Sequence, residues 1–135
     1  MVDSRRLALR VHPGLYSICR LGPDESTPPW SLTSFCSITR TGEELSVVCS
    51  EEAVPPDVQA DRGWRLLGVH GPLDLSMVGV LAGLATTLAG AGVSIFTIST
   101  FDTDYLLVRE QDVDRALDAL REARYVVDDR SLQND

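Results

Sequence analysis

A run of uncharged residues from 75 to 101 is the feature that most limits how this chain can fold. A run of this length could cross a membrane as one helix, or form a buried helix followed by a buried strand. Gly90 and Gly92 interrupt the run, and the residues that flank it are Asp74 and Asp102, where a membrane span favours arginine. The pattern therefore predicts a buried helix that ends at glycine and leads into a buried strand.

The residues around this run complete a regular order of elements. Asp74 or Ser76 is expected to cap the helix, and an amphipathic helix follows the next two strands. The order β-α-β-β-α-β is typical of a ferredoxin-like unit, in which both helices cover one face of one antiparallel sheet. The predicted elements are strand 64–71, helix 75–92, strands 93–100 and 104–110, helix 112–123 and strand 124–128.

The first half of the chain repeats the beginning and the end of this order of elements, but not its middle. Its pentapeptide VHPGL at 11–15 resembles VHGPL at 69–73, and each follows an alternating apolar stretch. The first half has the strand YSICRL where the second half has its long helix, and its next connection holds about one helical turn, started at Pro29. The predicted fold class is α+β, with two tandem ferredoxin-like units of which the first is degenerate. The predicted domains are 1–60 and 61–129, followed by a flexible tail at 130–135.

Charge and composition exclude several classes of partner. The net charge of −8 opposes binding to a nucleic acid or an anionic membrane, because both would repel the chain. The N-terminus lacks the apolar core of a signal peptide, which favours a cytoplasmic protein. Cys19, Cys36 and Cys49 form no metal-binding spacing and are expected to be buried, reduced thiols. No cofactor is predicted.

Two segments carry a resemblance to a known family. SITRTGEELSVVC at 37–49 and GPLDLSMVGVLAGLATTLAGAGVSIFTISTFDTDYLLV at 71–108 resemble the small bacterial tandem ACT-domain proteins. The second segment also resembles the ACT modules of aspartate kinases and of the eukaryotic cytosolic arginine sensor. The resemblance implies a regulatory module without catalytic activity that binds small molecules, often amino acids, and works by pairing ACT units side by side.

The resemblance also implies where a ligand would lie. In related domains it lies between the loop after the first strand, with the start of the first helix, and the facing strand of a neighbouring ACT unit. Carried over to this chain, the implied ligand-binding residues are His70, Gly71, Leu73, Asp74, Ser76, Met77, Val78, Gly79, Thr97, Thr100, Phe101 and Asp104.

The residue types in these segments suit an amino acid. Gly71 relaxes the backbone, and amides at the helix start near 76–78 can hold a carboxylate with help from the helix dipole. A cationic group would need an acid, and Asp74, Asp102 and Asp104 are the local candidates. The alternatives are that Asp74 only caps the helix and that Asp102 only forms a turn. Asp104 matches an acidic position that the arginine sensor uses for its ligand.

Two histidines invite a metal or catalytic interpretation. His12 and His70 occupy matching positions in the two pentapeptides, but a loop histidine more often bonds to backbone groups, so no metal site is predicted. No nucleophile elbow, phosphate loop or zinc-protease motif occurs in the sequence, and the chain is not expected to be an enzyme.

Two functional hypotheses remain from the sequence. The first is an amino-acid sensor that acts in trans on an unidentified effector protein. The alternative is a ligand-free ACT-type module that only assembles proteins. In both cases a homodimer is expected, because small sheets leave strand edges that a twofold partner can cover.

Overall fold

The structure is a computed structural model that describes residues 7–70 and 79–134. Those residues divide into two compact units, one of Gly14–Trp64 and one of residues 7–13 with 65–70 and 79–134. Their strands are β1 (Ala8–Val11), β2 (Tyr16–Leu21), β3 (Cys36–Arg40), β4 (Leu45–Ser50), β5 (Ala60–Val69), β6 (Ile95–Ser99), β7 (Asp104–Arg109) and β8 (Val126–Asp128). The α-helices are α1 (Val80–Gly90) and α2 (Val113–Glu122).

The unit Gly14–Trp64 is a small antiparallel sheet. Strand β4 lies between β3 and β2, and the first residues of β5 pair with β2 through a bulge near Ile18. One turn of 3-10 helix, Pro29–Ser31, starts at a proline and confirms the single helical turn predicted there. The side chains of this unit's core are Cys19, Leu45, Val47, Cys49 and Val54.

The three cysteines of this unit are free thiols. Cys19 and Cys49 are buried, whereas Cys36 is half-buried and lies directly opposite Cys49 across β3 and β4. A hydrogen bond with Cys49 lowers the pKa of Cys19, and the same bond with burial raises the pKa of Cys49 well above its usual range. The pair therefore packs as small apolar groups, as the sequence predicted.

The other unit contains the predicted βαββαβ order, with one strand added. Strand β7 lies between β6 and β5, and both α-helices cover the same face of this sheet. The added strand is β1, which pairs antiparallel with the last residues of β5 and parallel with β8. Leu9 is the central residue of this insertion, opposite Val69 on one side and Val127 on the other.

This insertion differs from the domain assignment made from the sequence. The division at residue 60 placed strand β1 in the N-terminal domain 1–60, whereas β1 belongs to the compact unit that contains Arg65–Asp135. The exact boundary near residue 60 remains a prediction. Residues after 129 also differ from expectation, because Arg130–Asn134 form a 3-10 helix rather than a loose tail. The Ser131 hydroxyl donates to the carbonyl of Val11 at 2.6 Å and fixes this helix to β1.

Helix α1 is shorter than the sequence predicted. It begins at Val80, after Gly79 in the left-handed conformation at φ 85°, and not at residue 75. The predicted caps Asp74 and Ser76 lie outside the described residues. Val80, Leu84 and Leu88 point into the core, at the spacing of successive helical turns. Within the described ranges, no helix has the length and apolar character needed to cross a bilayer.

Candidate functional site

The turn between β6 and β7 is held by two threonines. The Thr100 amide and hydroxyl both donate to the carbonyl of Thr103, at 2.8 and 3.1 Å. The Thr103 hydroxyl donates to the carbonyl of Val69 at 2.8 Å and ties the turn to the end of β5. Asp102 is exposed in this turn, which agrees with the turn-forming alternative for that residue.

Alternation along β7 places its side chains on opposite faces of the sheet. Leu106 and Val108 belong to the core beneath the helices, so Asp104 lies on the helix side and Tyr105 on the other side. Asp104 is half-buried, and the Ser99 hydroxyl donates to its Oδ1 at 2.6 Å. No ion pair to Asp104 occurs within residues 7–70 and 79–134. Its charge is therefore not neutralised by a described basic side chain.

The other predicted site residues are distributed over three places. Thr97 is exposed on β6, on the same face as Asp104, because its cross-strand partner is the core residue Leu106. Phe101 is 81% exposed at the turn. Gly79 forms the N-terminal end of α1, and Thr100 is part of the turn hydrogen bonding. The predicted residues Gly71, Leu73, Asp74, Ser76, Met77 and Val78 lie outside the described residues.

His70 lies in a different environment from Asp104. It lines a cleft of about 440 Å³ on the side of the sheet that carries no helix. The backbone of Gly68 and Val69 contributes to this cleft, and its polar side chains are Arg10, His12, His70, Asp102, Thr103 and Tyr105. Within this unit, His70 and Asp104 therefore lie on opposite faces of the sheet, whereas the predicted site brings the two segments together from neighbouring ACT units.

The floor of this cleft depends on Gly68. A Cβ atom at Gly68 would lie 2.8 Å from Nε2 of His12 and 3.2 Å from Cε2 of Tyr105. The rings of His12 and Tyr105 are 6.1 Å apart between centroids and tilted by 57°. Burial lowers the pKa of His12, and the positive charges of Arg10 and His70 lower it further. Three basic groups thus face one another across this cleft.

Sequence reasoning missed Arg10, Gly68 and Tyr105, and it considered His12 for a metal or catalytic role but did not include it among the ligand-binding residues. The signal that links them is the antiparallel register of β1 and β5, in which Arg10 is opposite Gly68. The repeat alone would superimpose His12 on His70, whereas pairing places the two histidines towards opposite ends of the β1–β5 ladder. In the part of the chain that the structure describes, no three potential metal ligands lie close enough to hold an ion.

Comparisons with known proteins identify the family. A model of the ACT domain matches residues 59–122, and a model of an N-terminal domain matches residues 14–57. A crystal structure of a protein from Agrobacterium tumefaciens is 38% identical, with a TM-score of 0.86, over 92% of this chain and 93% of that one. Residues 59–122 of the chain belong to the ACT-domain family.

Other known proteins resemble parts of this chain or share its fold. The cytosolic arginine sensors for mTORC1 from Bos taurus and Homo sapiens are 31% and 33% identical over 97 residues. Those matches cover 64% of this ACT protein and 30% of each sensor. An aspartate kinase of Clostridium acetobutylicum shares the fold, with a TM-score of 0.63 and 13% identity, over 85% of this chain and 34% of the kinase.

Proposed function

We propose that this ACT protein is a regulatory module that binds a small molecule, in particular an amino acid, and acts in trans on a separate effector protein. The observation that carries the proposal is the carboxylate of Asp104, which is half-buried, oriented by Ser99 and not engaged in a described ion pair. Because Ser99 already orients this carboxylate, a cationic group can bind to it without a large rearrangement of the Asp104 side chain. The similarity to arginine sensors supports the same ligand class.

The proposed ligand would be held at its two ends. Its cationic group would meet Asp104, while its carboxylate would bind backbone amides of residues 76–78, in the segment that leads to α1. Because α1 begins at Val80, these amides belong to the segment before the helix, and they are proposed as donors without help from the first helical turn. Thr97 lies on the same face of the hairpin as Asp104 and is exposed, so its hydroxyl is available for a further hydrogen bond.

The role is proposed to be binding and not catalysis. The similarity to proteins named as arginine sensors supports a binding role, and the sequence carries none of the motifs that activate a nucleophile or a water molecule. The downstream effect would therefore arise when the loaded and unloaded forms differ in affinity for the effector.

The alternative function is a ligand-free module for protein assembly. Strand β6 supports it, because β6 pairs with β7 and has no second neighbour among the described strands. Phe101, at the end of this hairpin, is 81% exposed. An open strand edge next to an exposed aromatic side chain is a common starting point for association.

A thermal-shift screen of the twenty amino acids separates the two functions. A ligand at a hundred times its dissociation constant stabilises the folded protein by about 2.7 kcal/mol, which raises the melting temperature by several degrees. We expect a shift with lysine or arginine and none with acidic amino acids. If no amino acid at millimolar concentration changes the melting temperature, the assembly function is favoured.

A homodimer is predicted under either function. The uncovered edge of β6 can pair with its counterpart in a second copy, so that backbone groups left without a neighbour become hydrogen-bonded. Light scattering at micromolar concentration should give the mass of two chains. A Thr97→Pro variant should shift that mass towards one chain, since proline removes a donor from the edge. A single-chain mass for the unsubstituted protein would contradict the prediction.

A further inference from the structure

The cleft over Gly68 lies on the opposite face of the sheet from Asp104, and the proposed function makes no use of it. The residue at the floor of the cleft, Gly68, has to be glycine because a larger side chain would collide with its neighbours, and not because of its backbone angles. Gly68 is not among the described glycines with positive φ, so an alanine could adopt its backbone angles. The Cβ of that alanine would press on His12 and on the Tyr105 ring. Glycine inside a strand weakens a sheet and often marks a position where another group approaches the backbone closely.

The walls of the cleft are predominantly basic. Arg10 is exposed directly beside Gly68 in the register of β1 and β5, and His12 and His70 flank it. Within residues 7–70 and 79–134, Arg10 forms no ion pair. The carboxylate nearest in register is Asp128 on β8, and it already accepts hydrogen bonds from Nε and Nη2 of Arg130 at 3.0 and 2.7 Å.

The remaining acid is Asp102, which is exposed in the turn at the rim. The interior of the cleft therefore combines the guanidinium of Arg10, whose charge also acts on Asp128, with two imidazoles and the ring of Tyr105. Guanidinium groups bind carboxylates through two parallel hydrogen bonds, and an adjacent imidazolium adds a third donor.

We propose that this cleft is a second binding site, specific for a small organic carboxylate, with the carboxylate held between Arg10 and His12 and the body of the ligand against the His12 and Tyr105 rings that cover Gly68. The site is built mainly from β1 and β5. The site therefore depends on β1. Although β1 comes before residues 14–64 in the sequence, it pairs with β5, and this pairing brings Arg10 and His12 next to Gly68.

Binding at this site should take up a proton. Without a ligand, burial and the charges of Arg10 and His70 keep the pKa of His12 below its ordinary value of 6.5. A bound carboxylate offsets that repulsion and favours the protonated imidazole, so affinity should increase as the pH falls from 7.5 towards 6. The charged or titratable groups that face His12 are Arg10 on its own strand, His70 after β5 and Tyr105 on β7, with Asp102 at the rim.

Benzoate is a suitable probe, because it joins a carboxylate to a flat ring that can pack against the rings of His12 and Tyr105. Calorimetry on the full chain should detect saturable benzoate binding at millimolar concentration, tighter at pH 6 than at pH 7.5. Proton NMR of the histidine rings should show that the pKa of His12 rises when benzoate is present. Arg10→Gln should weaken binding by about tenfold or more, since it removes a charge-assisted contact.

The matched control is Arg124→Gln, an equal change of charge at an exposed arginine in the same unit. The proposed site is supported if Arg10→Gln loses benzoate affinity while Arg124→Gln keeps the affinity of the unsubstituted protein. Equal weakening of benzoate binding in both variants would show a general attraction between charges and would overturn the proposed site. An absence of saturable benzoate binding to the unsubstituted protein would overturn it as well. Gly68→Ala should also block benzoate, but Arg10→Gln decides the outcome if the alanine variant does not fold.

The variant Asp104→Asn separates this inference from the proposed function. Asp104 lies on the helix side of the sheet, so its substitution should leave benzoate affinity unchanged. If an amino acid stabilises the protein but benzoate does not bind, only the second site is ruled out. If benzoate binds but no amino acid stabilises the protein, only the amino-acid site is ruled out.

Discussion

Replacing Asp104 by asparagine is expected to weaken the binding of a cationic amino acid about ten- to a hundredfold, while the protein remains folded. Asparagine has nearly the same shape, and its carbonyl oxygen can still accept the hydrogen bond that Ser99 donates to Asp104. Only the negative charge is lost. A charge-assisted hydrogen bond in a partly buried site contributes on the order of 1.5 to 3 kcal/mol, which corresponds to that change in affinity. Calorimetry with the cationic amino acid found by the screen measures it directly.

Asp102→Asn is the matched control for this experiment. It makes the same chemical change two residues away, in an exposed turn that lines the opposite face of the sheet. The control should retain the affinity of the unsubstituted protein. If Asp102→Asn weakens binding and Asp104→Asn does not, the amino acid lies in the cleft over Gly68. Unaltered affinity in both variants would show that no acidic side chain anchors the ligand.

The elements of the second unit could be predicted from the sequence because their signals are local. The alternating stretch before His70, the glycines after the uncharged helix and the amphipathic spacing of α2 each lie within a few residues of the structure they specify. Pro29 likewise marks the start of its 3-10 turn by its fixed backbone angle. The order βαββαβ then follows from these elements alone.

The position of β1 could not be predicted in this way. Strand Ala8–Val11 carries only the alternation that any half-buried strand would show. Its partners are β5 and β8, which are more than fifty residues away along the chain. Pairing between strands so far apart cannot be read from the residues around β1 alone. The repeat of VHPGL and VHGPL led us to assign these segments to equivalent places in two units, whereas β1 pairs with β5 within one compact unit.

The same limit applies to the cleft over Gly68. Alternation along β5 assigns Gly68 to the face opposite Leu67 and Val69, but it does not say which side chains surround that glycine. Arg10 and His12 reach it only through the pairing of β1 with β5, and Tyr105 only through β7. Asp104, by contrast, was recognised from the resemblance, and its place on the helix side follows from its two-residue spacing to Leu106.

The largest change in stability is expected from Leu84→Ala in helix α1. Leu84 is fully buried and points from the middle of α1 into the core that also contains Leu9, Val69 and Leu106. Truncating a buried leucine removes apolar contacts and leaves a cavity, at a cost of about 2 to 5 kcal/mol. For a chain of this size that loss should lower the melting temperature by on the order of 10 °C.

Leu32→Ala provides the matched control, because it makes the same substitution at a leucine that is 66% exposed. Surface changes of this kind usually alter the free energy of unfolding by less than about 0.5 kcal/mol. Urea unfolding should therefore show a clear fall in midpoint for Leu84→Ala and almost none for Leu32→Ala. Because α1 follows directly after the segment proposed to hold the ligand carboxylate, a saturating amino acid should restore part of the lost stability. Equal midpoints for the two variants would mean that α1 does not pack on the sheet through Leu84, and the helix-side site beside Asp104 would lose its structural basis.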